Sequence, residues 1–331
     1  MIQRMPVVMN ENSNSPLFSV VIPAYNRAKI ISRAIDSVLA QTFTNFEIII
    51  VDDGSSDDLK RVCDEYNSPK IHYFYQDNAG SNPARNTGIT NSCGYYISFL
   101  DSDDTWEPEY LYEVAQKFAN DNELGFVWVK NIRKYLPEGI IQIKKSKKLE
   151  GFVYRDILKQ GFLINSSCIT AKRSLLEMVN GWDNNLLACQ DDDICFRLAK
   201  ITKIGCIDKF LSTFYIDKQL DRISTSNSRR AWNSLFLWQK FAGDVISFCG
   251  RKEFEKKIIH VFLLFYKLND KDGLIHCRKY FLEYLKPSQF EIFIFNIKCM
   301  SKIFKFRLKF IIKKILWHLL PIKKIRKKGW F

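Results

Sequence analysis

The sequence lacks the features that mark several common classes of protein. Its nine cysteines form no C-x-x-C pair and its four histidines lie far apart, so neither a disulfide framework nor a zinc site is indicated. No apolar run approaches the roughly 20 residues that a membrane-spanning helix needs. The first sixteen residues also lack the apolar core of a signal peptide. We therefore expect a cytoplasmic protein with reduced thiols.

Acidic residues are absent from residues 292–331, which carry twelve lysines and arginines. The whole chain has a net charge of +14, so the rest of the chain contributes only +2. Over residues 302–319, lysines recur on one helical face and apolar residues on the other, although three aromatic residues interrupt the basic face. This pattern predicts a peripheral anchor on an anionic membrane surface, at the inner face of the cell membrane. Docking of the apolar face on the rest of the protein is the alternative, and no recognisable module indicates nucleic-acid binding.

Short apolar runs alternate with helical patterns over the first 130 residues. The runs FSVVIP, FEIIIV, KIHYFY, YYISFL and GFVWVK predict five strands. Such alternation is typical of an α/β domain with a largely parallel sheet, in which ligands bind at the carboxyl ends of the strands. We predict a flexible N-terminus over 1–16, this α/β domain over 17–228, and a helical region over 229–331 that ends in the basic tail.

Three carboxylates follow the fourth predicted strand within four residues, in the segment YYISFLDSDDTW. Residues i and i+2 of an extended segment point the same way, so Asp101 and Asp103 face one ligand and Asp104 turns aside. Converging carboxylates favour a hard divalent cation such as Mn²⁺ or Mg²⁺, which also binds substrate phosphates. The alternative is a polar turn in which Asp104 caps the next helix.

Several segments, in this order, resemble family 2 glycosyltransferases, which use nucleotide-sugars and have the Rossmann-like GT-A fold. They are SVVIPAYNRAKIISRAIDSVLAQTFTNFEIIIVDDGSSDD, DNAGSNPARNTGI and YISFLDSDDTWEPEYL, and the resemblance resumes at MVNGWDNNLLACQDDDICFRLAK. It is close over residues 17–112, and the last hundred residues are not covered. The resemblance implies a GT-A domain with a C-terminal helical extension, and relatives of the bacterial type extend lipid-linked, lipopolysaccharide or capsule glycans.

The resemblance also implies a binding site for the nucleotide. Pro23, Ala24 and Tyr25 resemble the wall against which the base packs, with the tyrosine ring on uracil. Asp53 resembles the carboxylate that accepts the N–H of the uracil ring, and Arg85 the basic residue near base and phosphate. The alternatives are that Tyr25 is a plain turn aromatic and that Arg85 pairs with a surface carboxylate.

By the same resemblance, Asp101 and Asp103 are the D-x-D motif that bridges the ribose and the metal. Asp104 is a possible second contributor to the metal site. A divalent cation there would stabilise the charge that develops on the departing diphosphate. The alternative for Asp52 and Asp53 is that both serve only the turn after their strand through bonds to the backbone, and Asp52 is expected mostly in that role.

A second acidic cluster, CQDDDICFRL, aligns with the Glu-Asp-x-Asp segment of the family. The alignment places Asp191 in the position of the general base, which takes the proton from the acceptor hydroxyl. Gln190 stands where many relatives have Glu, and Asp192 and Asp193 are rival candidates by proximity. Asp193 is expected to pair with Arg197 four residues on. Without the resemblance, the cluster reads as a charged helix start.

The segment DRISTSNS departs from the family pattern. Relatives often have an arginine followed closely by a histidine near the diphosphate. Arg222 fits the arginine, but Ser224 stands near the expected histidine, so this phosphate contact is not expected.

These features predict an inverting, metal-dependent glycosyltransferase of the hexosyltransferase type. We expect a UDP-sugar as donor and a hydroxyl of a cell-surface glycan or lipid-linked molecule as acceptor. A nucleotidyltransferase on a related fold is one alternative, but it needs a glycine-rich loop after the first strand, and PAYNRAKI has no glycine. A non-catalytic scaffold that binds nucleotide or glycan is the other.

Overall fold

A computed structural model of the chain describes residues 15–143, 147–161, 164–217 and 227–288, together with 292 and 299–302. The chain divides into two compact units, Met1–Thr225 and Ser226–Phe331. The domain boundaries expected from the sequence stay predictions. Nearly all of the predicted flexible N-terminus, and residues 303–331 of the basic tail, lie outside the described residues.

A mixed nine-stranded sheet forms the centre of the described part of the first unit. Its strands are β1 (Phe18–Ala24), β2 (Phe46–Asp53), β3 (Ile71–Gln76), β4 (Tyr96–Phe99), β5 (Thr105–Trp106), β6 (Leu124–Leu136), β7 (Ile140–Ile143), β8 (Ile169–Lys172) and β9 (Lys203–Asp217). They lie in the order β3-β2-β1-β4-β8-β6-β9-β5, and β7 pairs with β6. The helices of this unit are α1 (Ile31–Leu39), α2 (Leu59–Asp64), α3 (Ser81–Thr90), α4 (Tyr110–Asn120), α5 (Tyr154–Gln160), α6 (Arg173–Met178) and α7 (Gln190–Ile201).

The first four strands of the sheet are parallel, as the sequence predicts. Every residue of β1 and β2 is buried, because helices cover both faces of a parallel sheet. The apolar stripe of α1, at helical spacing, is buried as well. The carboxyl ends of β1, β2 and β4 therefore lie at one edge, and the polar segments after these strands meet there.

The second half of the sheet contains antiparallel pairs that the apolar runs did not reveal. β8 is antiparallel to both β4 and β6, whereas β9 runs parallel to β6. The predicted strand GFVWVK is only the beginning of β6, which continues to Leu136. Directly before β8, Ser166–Cys168 forms a 3-10 turn, and Ile169–Lys172 then pairs in the sheet. The α/β class is confirmed, and the parallel pattern holds for its first half.

The described part of the second unit is helical, as predicted for the C-terminal region. Its helices are α8 (Asn227–Lys240), α9 (Ala242–Asp244), a π-helical turn over Val245–Cys249, α10 (Arg251–Leu268) and α11 (Lys271–Leu285). Trp232 of α8 packs edge-on against Phe265 of α10 and donates a hydrogen bond to Asp270 at 3.0 Å. Gly273 allows α11 to approach α10, since a Cβ there would lie 2.1 Å from the Phe265 ring. Within the described residues, no helix has the length and apolarity needed to cross a membrane.

Candidate active site

The end of β1 presents the residues expected to contact the base. Pro23 and Ala24 are buried within the strand, and the side chain of Tyr25 is 47% exposed just beyond it. The chain turns at Asn26, which has a left-handed backbone with φ of 52°. The Asn26 N–H donates to the Ser55 hydroxyl at 2.8 Å, so the loops after β1 and β2 are held together. An exposed aromatic ring on an anchored turn can pack against a planar ligand.

Two carboxylates at the end of β2 have different partners. Asp52 accepts the N–H three residues on at 2.8 Å, which confirms its expected role in the turn. Asp53 is 4% exposed and accepts hydrogen bonds from the Gln76 side chain and from the N–H groups of Ala79 and Gly80, at 2.7, 2.9 and 2.8 Å. It therefore orders the loop that leads into α3. A carboxylate has about four acceptor sites, so Asp53 retains capacity for one further donor.

Arg85 of α3 is buried against the first carboxylate of the D-x-D motif. Its Nη2 donates to Asp101 Oδ1 at 2.8 Å, and the Ser166 hydroxyl donates to Asp101 Oδ2 at 2.8 Å. The Arg85 guanidinium also lies over the Trp182 ring, 4.6 Å from its centroid. Arg85 therefore pairs with a carboxylate of the candidate site, and the alternative of a surface carboxylate is not observed.

Asp104 has a different environment from the other two carboxylates of its cluster. It is completely buried. Its Oδ2 accepts from Asn165 Nδ2 at 3.0 Å and from the Ser167 hydroxyl at 2.6 Å, and its Oδ1 accepts the Tyr215 N–H at 3.3 Å. Both oxygens are occupied by protein donors, which argues against the predicted contribution of Asp104 to a metal site. The alternative of a helix cap is not observed either, because α4 begins without a side-chain cap.

Asp103 is the carboxylate of the cluster that fits a cation best. It is only partly buried, and its backbone carbonyl accepts from Arg33 Nη2 at 2.6 Å. Within the described residues, no group of three or more His, Cys, Asp and Glu side chains is arranged as a metal cage. Mg²⁺ and Mn²⁺ do not need such a cage, since one or two carboxylates and the phosphates of a substrate suffice. The donor set therefore fits a cation that arrives with a phosphate ligand.

Asp191, at the first turn of α7, lies beside the D-x-D motif although ninety residues separate them. Burial raises the pKa of Asp191 to about 7. The negative charges of Asp101 and Asp192 add to the rise, while the Arg85 guanidinium and a hydrogen bond from the Ser166 backbone oppose it. A carboxylate with a pKa near neutrality is suited to take a proton and to release it again.

Asp193, two residues further along α7, has a structural partner. Arg197 Nε donates to Asp193 Oδ2 at 2.9 Å, which confirms the expected ion pair. Arg197 also donates to the carbonyl oxygen of Gly181, so the pair anchors α7 to the preceding loop. Gln190 lies 3.3 Å from the Ser81 hydroxyl at the start of α3. Of the two alternative candidates for the general base, Asp193 is therefore already paired with Arg197.

The sequence reading did not single out Ser166. Its hydroxyl holds Asp101 and accepts from Arg85 Nη2 at 3.2 Å, while its backbone bonds to Asp191. One residue therefore connects the two acidic clusters. The signal in the sequence was the polar run Asn165–Ser167 directly before a strand, where an apolar run is usual. Arg222 and Ser224 lie outside the described residues.

The sequence of the chain is similar to that of known glycosyltransferases. Residues 19–179 match the sequence model of glycosyl transferase family 2. An uncharacterized glycosyltransferase of Rickettsia felis is 37% identical over 196 residues, or 59% of this chain and 32% of that protein. Chondroitin synthase of Escherichia coli is 42% identical over 118 residues, or 35% of this chain and 17% of that protein. The chain spans about a third of the length of the curated relatives that it matches most strongly.

A solved structure shares the fold. The crystal structure of S. aureus TarS residues 1–349 in complex with UDP-GlcNAc matches with a TM-score of 0.65 at 19% identity, covering 81% of either chain. The fold is therefore the GT-A fold, an α/β sheet with flanking helices and C-terminal helices. Residues 19–179 of the chain are therefore similar in sequence to glycosyltransferase family 2, and the fold agrees with that similarity.

The hydrogen bonds of Asp104 yield a stability prediction. Asp104→Asn should lower the melting temperature by roughly 5 °C, because an amide has one acceptor oxygen and leaves at least one buried donor unpaired. Differential scanning calorimetry measures this shift. Asp103→Asn is the matched control, and its melting temperature should stay within about 1 °C of the wild type. Equal effects of the two changes would contradict the structural role of Asp104.

Proposed function

We propose that this protein is an inverting, metal-assisted glycosyltransferase of the hexosyltransferase type. It moves a sugar from a nucleotide-sugar, with a UDP-sugar as the expected donor, to a hydroxyl of a cell-surface glycan or lipid-linked acceptor. The observation that carries the proposal is the convergence of Asp101 and Asp191 around Arg85 and Ser166. Two acidic clusters that are distant in sequence but meet at the carboxyl edge of one sheet repel each other. Such an arrangement is not expected of a purely structural surface.

The donor side of the cleft is assigned to the ends of β1, β2 and β4. The Tyr25 ring packs on the base, Asp53 accepts its ring N–H with the remaining acceptor site, and Asp101 contacts the ribose. Arg85 holds Asp101 in place and supplies positive charge next to the diphosphate. The similarity of fold to TarS, which was crystallised with UDP-GlcNAc, supports a uridine nucleotide as donor.

Asp103 is the residue that would hold Mn²⁺ or Mg²⁺ at this site. When bound, the cation supplies positive charge that stabilises the departing diphosphate. Asp103 is suited to this role because its side chain is only partly buried, whereas that of Asp104 is completely buried.

Asp191 acts as the general base of a single displacement. It takes the proton of the acceptor hydroxyl while the acceptor oxygen forms a bond to the anomeric carbon. The bond between that carbon and the diphosphate oxygen breaks at the same time, and its electron pair leaves with the nucleoside diphosphate. Attack from the face opposite the leaving group inverts the anomeric configuration. The raised pKa of Asp191 means that it serves as a base above a pH of about 7.

The basic tail over residues 300–331 is proposed to hold the enzyme at an anionic membrane, where lipid-linked acceptors are located. The support is the sequence pattern of the tail, with lysines on one helical face and apolar residues on the other. A lipopolysaccharide or capsule glycan is the acceptor class that this location favours.

Replacement of Asp191 should change activity and stability in opposite directions. Asp191→Asn should lower kcat by roughly 10²–10⁴-fold, because no base remains to accept the proton. Since folding raises the pKa of Asp191, the ionised form is disfavoured in the folded state and its cost is largest above pH 7. The variant should therefore melt at a higher temperature than the wild type at pH 8, with a smaller gain at pH 5. In the wild type, kcat/KM should rise as the pH increases through about 7.

Asp192→Asn serves as the control for this experiment, because it changes the same charge one residue away. It should retain most of the activity. Full activity of the Asp191 variant, or loss of activity only in the Asp192 variant, would reject Asp191 as the base.

The metal role of Asp103 is tested by binding rather than by turnover. Asp103→Ala should abolish the Mn²⁺-dependent part of UDP affinity in isothermal titration calorimetry, because the cation loses its protein ligand. Asp58→Ala, at a side chain that is 76% exposed, is the control and should bind as the wild type does. Undiminished metal dependence in the Asp103 variant would reject the assignment.

The membrane role of the tail is tested by deletion. Removal of residues 300–331 should weaken co-sedimentation with anionic vesicles at least about tenfold, since each basic residue near such a surface adds about 1 kcal/mol. Binding to neutral vesicles should be weak with or without the tail. Unchanged sedimentation on anionic vesicles would contradict the anchor.

A further inference from the structure

The hairpin formed by β6 and β7 extends the sheet beyond its core. β7 pairs with β6 in antiparallel register, with Lys134 opposite Ile141 and Ile132 opposite Ile143. Among the described residues, β6 is the sole strand partner of β7. The turn is tight, since the Gly139 N–H donates to the carbonyl of Tyr135 at 2.7 Å. The hairpin is thus an ordered projection with an open edge.

The open edge is apolar. Ile140, Ile141 and Ile143 are 60%, 57% and 58% exposed. Adjacent residues of a strand point to opposite faces, so these isoleucines present apolar surface on both sides of the hairpin. Exposed apolar side chains clustered on an edge strand are uncommon, because they associate with other surfaces. An apolar tip of this kind therefore indicates a contact surface.

The segment that contains this hairpin is basic in sequence. The segment 130–150 contains seven lysines and arginines and two glutamates. Lys130 pairs with Asp208 and Lys148 with Glu150, Lys147 is exposed, and Lys134 lies over the Tyr215 ring. Apolar side chains flanked by cations are complementary to a surface with an apolar interior and anionic head groups.

We infer that the β6–β7 hairpin docks on an anionic lipid bilayer, with its three isoleucines in the interfacial layer and its lysines at the head groups. A second copy of this chain fits less well, because edge-to-edge pairing would bring two strongly basic segments together. The charge of the segment thus selects the bilayer over self-association. This contact is independent of the tail and of catalysis.

The hairpin is continuous with the active-site strands. Lys134 of β6 lies beside Tyr215 of β9, and the Tyr215 N–H donates to Asp104 in the D-x-D cluster. Docking of the hairpin would therefore bring the acceptor side of the cleft close to the membrane surface. This last step rests on the proposed function, whereas the docking itself does not.

The test uses the full chain and vesicles of phosphatidylcholine with or without phosphatidylglycerol, and no donor is added. Ile140→Ser/Ile141→Ser should lower partition onto the anionic vesicles at least about tenfold, because two apolar side chains no longer enter the interface. Met178→Ser/Ile201→Ser is the matched control, since these side chains of the same unit are 68% and 44% exposed. The control should bind within about twofold of the wild type. All proteins keep the tail, so its contribution is common to them.

Hydrogen exchange locates the contact directly. Amides of residues 135–143 should exchange more slowly on anionic vesicles than in solution, and neutral vesicles should give little protection. Equal partition of the hairpin and control variants, or no protection of the hairpin on anionic vesicles, would overturn the inference. Protection without vesicles, together with a dimer in sedimentation velocity that the hairpin variant loses, would show self-association instead. Because no sugar transfer is measured, an inactive enzyme does not affect the result.

Discussion

A carboxylate without solvent contact is tolerated in a protein only when hydrogen bonds replace the water that it has lost. Asp104 meets this condition with two side chains from the turn before β8 and one backbone N–H from β9. These segments are thereby tied to the end of β4. Ser166 lies within the same turn, so the constraint on Asp104 also places the Ser166 hydroxyl on Asp101 and its backbone on Asp191.

The proposed site concentrates negative charge around the buried guanidinium of Arg85. Arg85 faces both Asp101 and Asp191, yet burial and like charge still raise the pKa of Asp191 to about 7. Such an arrangement is less stable than a neutral one, and functional sites commonly carry such a cost. A divalent cation bound with the diphosphate would supply positive charge that the site lacks, and an acceptor hydroxyl would supply a proton to Asp191. The charge distribution of the site is therefore consistent with the proposed sugar transfer.

The periodicity of the sequence revealed those features that depend on residues close together in the chain. The apolar runs of β1 and β2 predict buried parallel strands, and the spacing of Asp193 and Arg197 predicts their ion pair. It did not reveal the 3-10 turn at Ser166–Cys168 or the length of β6. That turn exists because its side chains bond to carboxylates more than sixty residues away. The distal half of β6 is mixed in polarity because it forms a partly exposed hairpin.

The sequence by itself determined the α/β class, the resemblance to family 2 glycosyltransferases, and the acidic clusters that mark the candidate site. These follow from apolar spacing and motif order, which local composition encodes. Only the tertiary structure decided that Asp104 is completely buried and hydrogen-bonded, that the side chain of Asp103 stays partly exposed, and that Ser166 joins the clusters. Each of these depends on burial and on hydrogen bonds between distant segments, which exist only once the chain has folded.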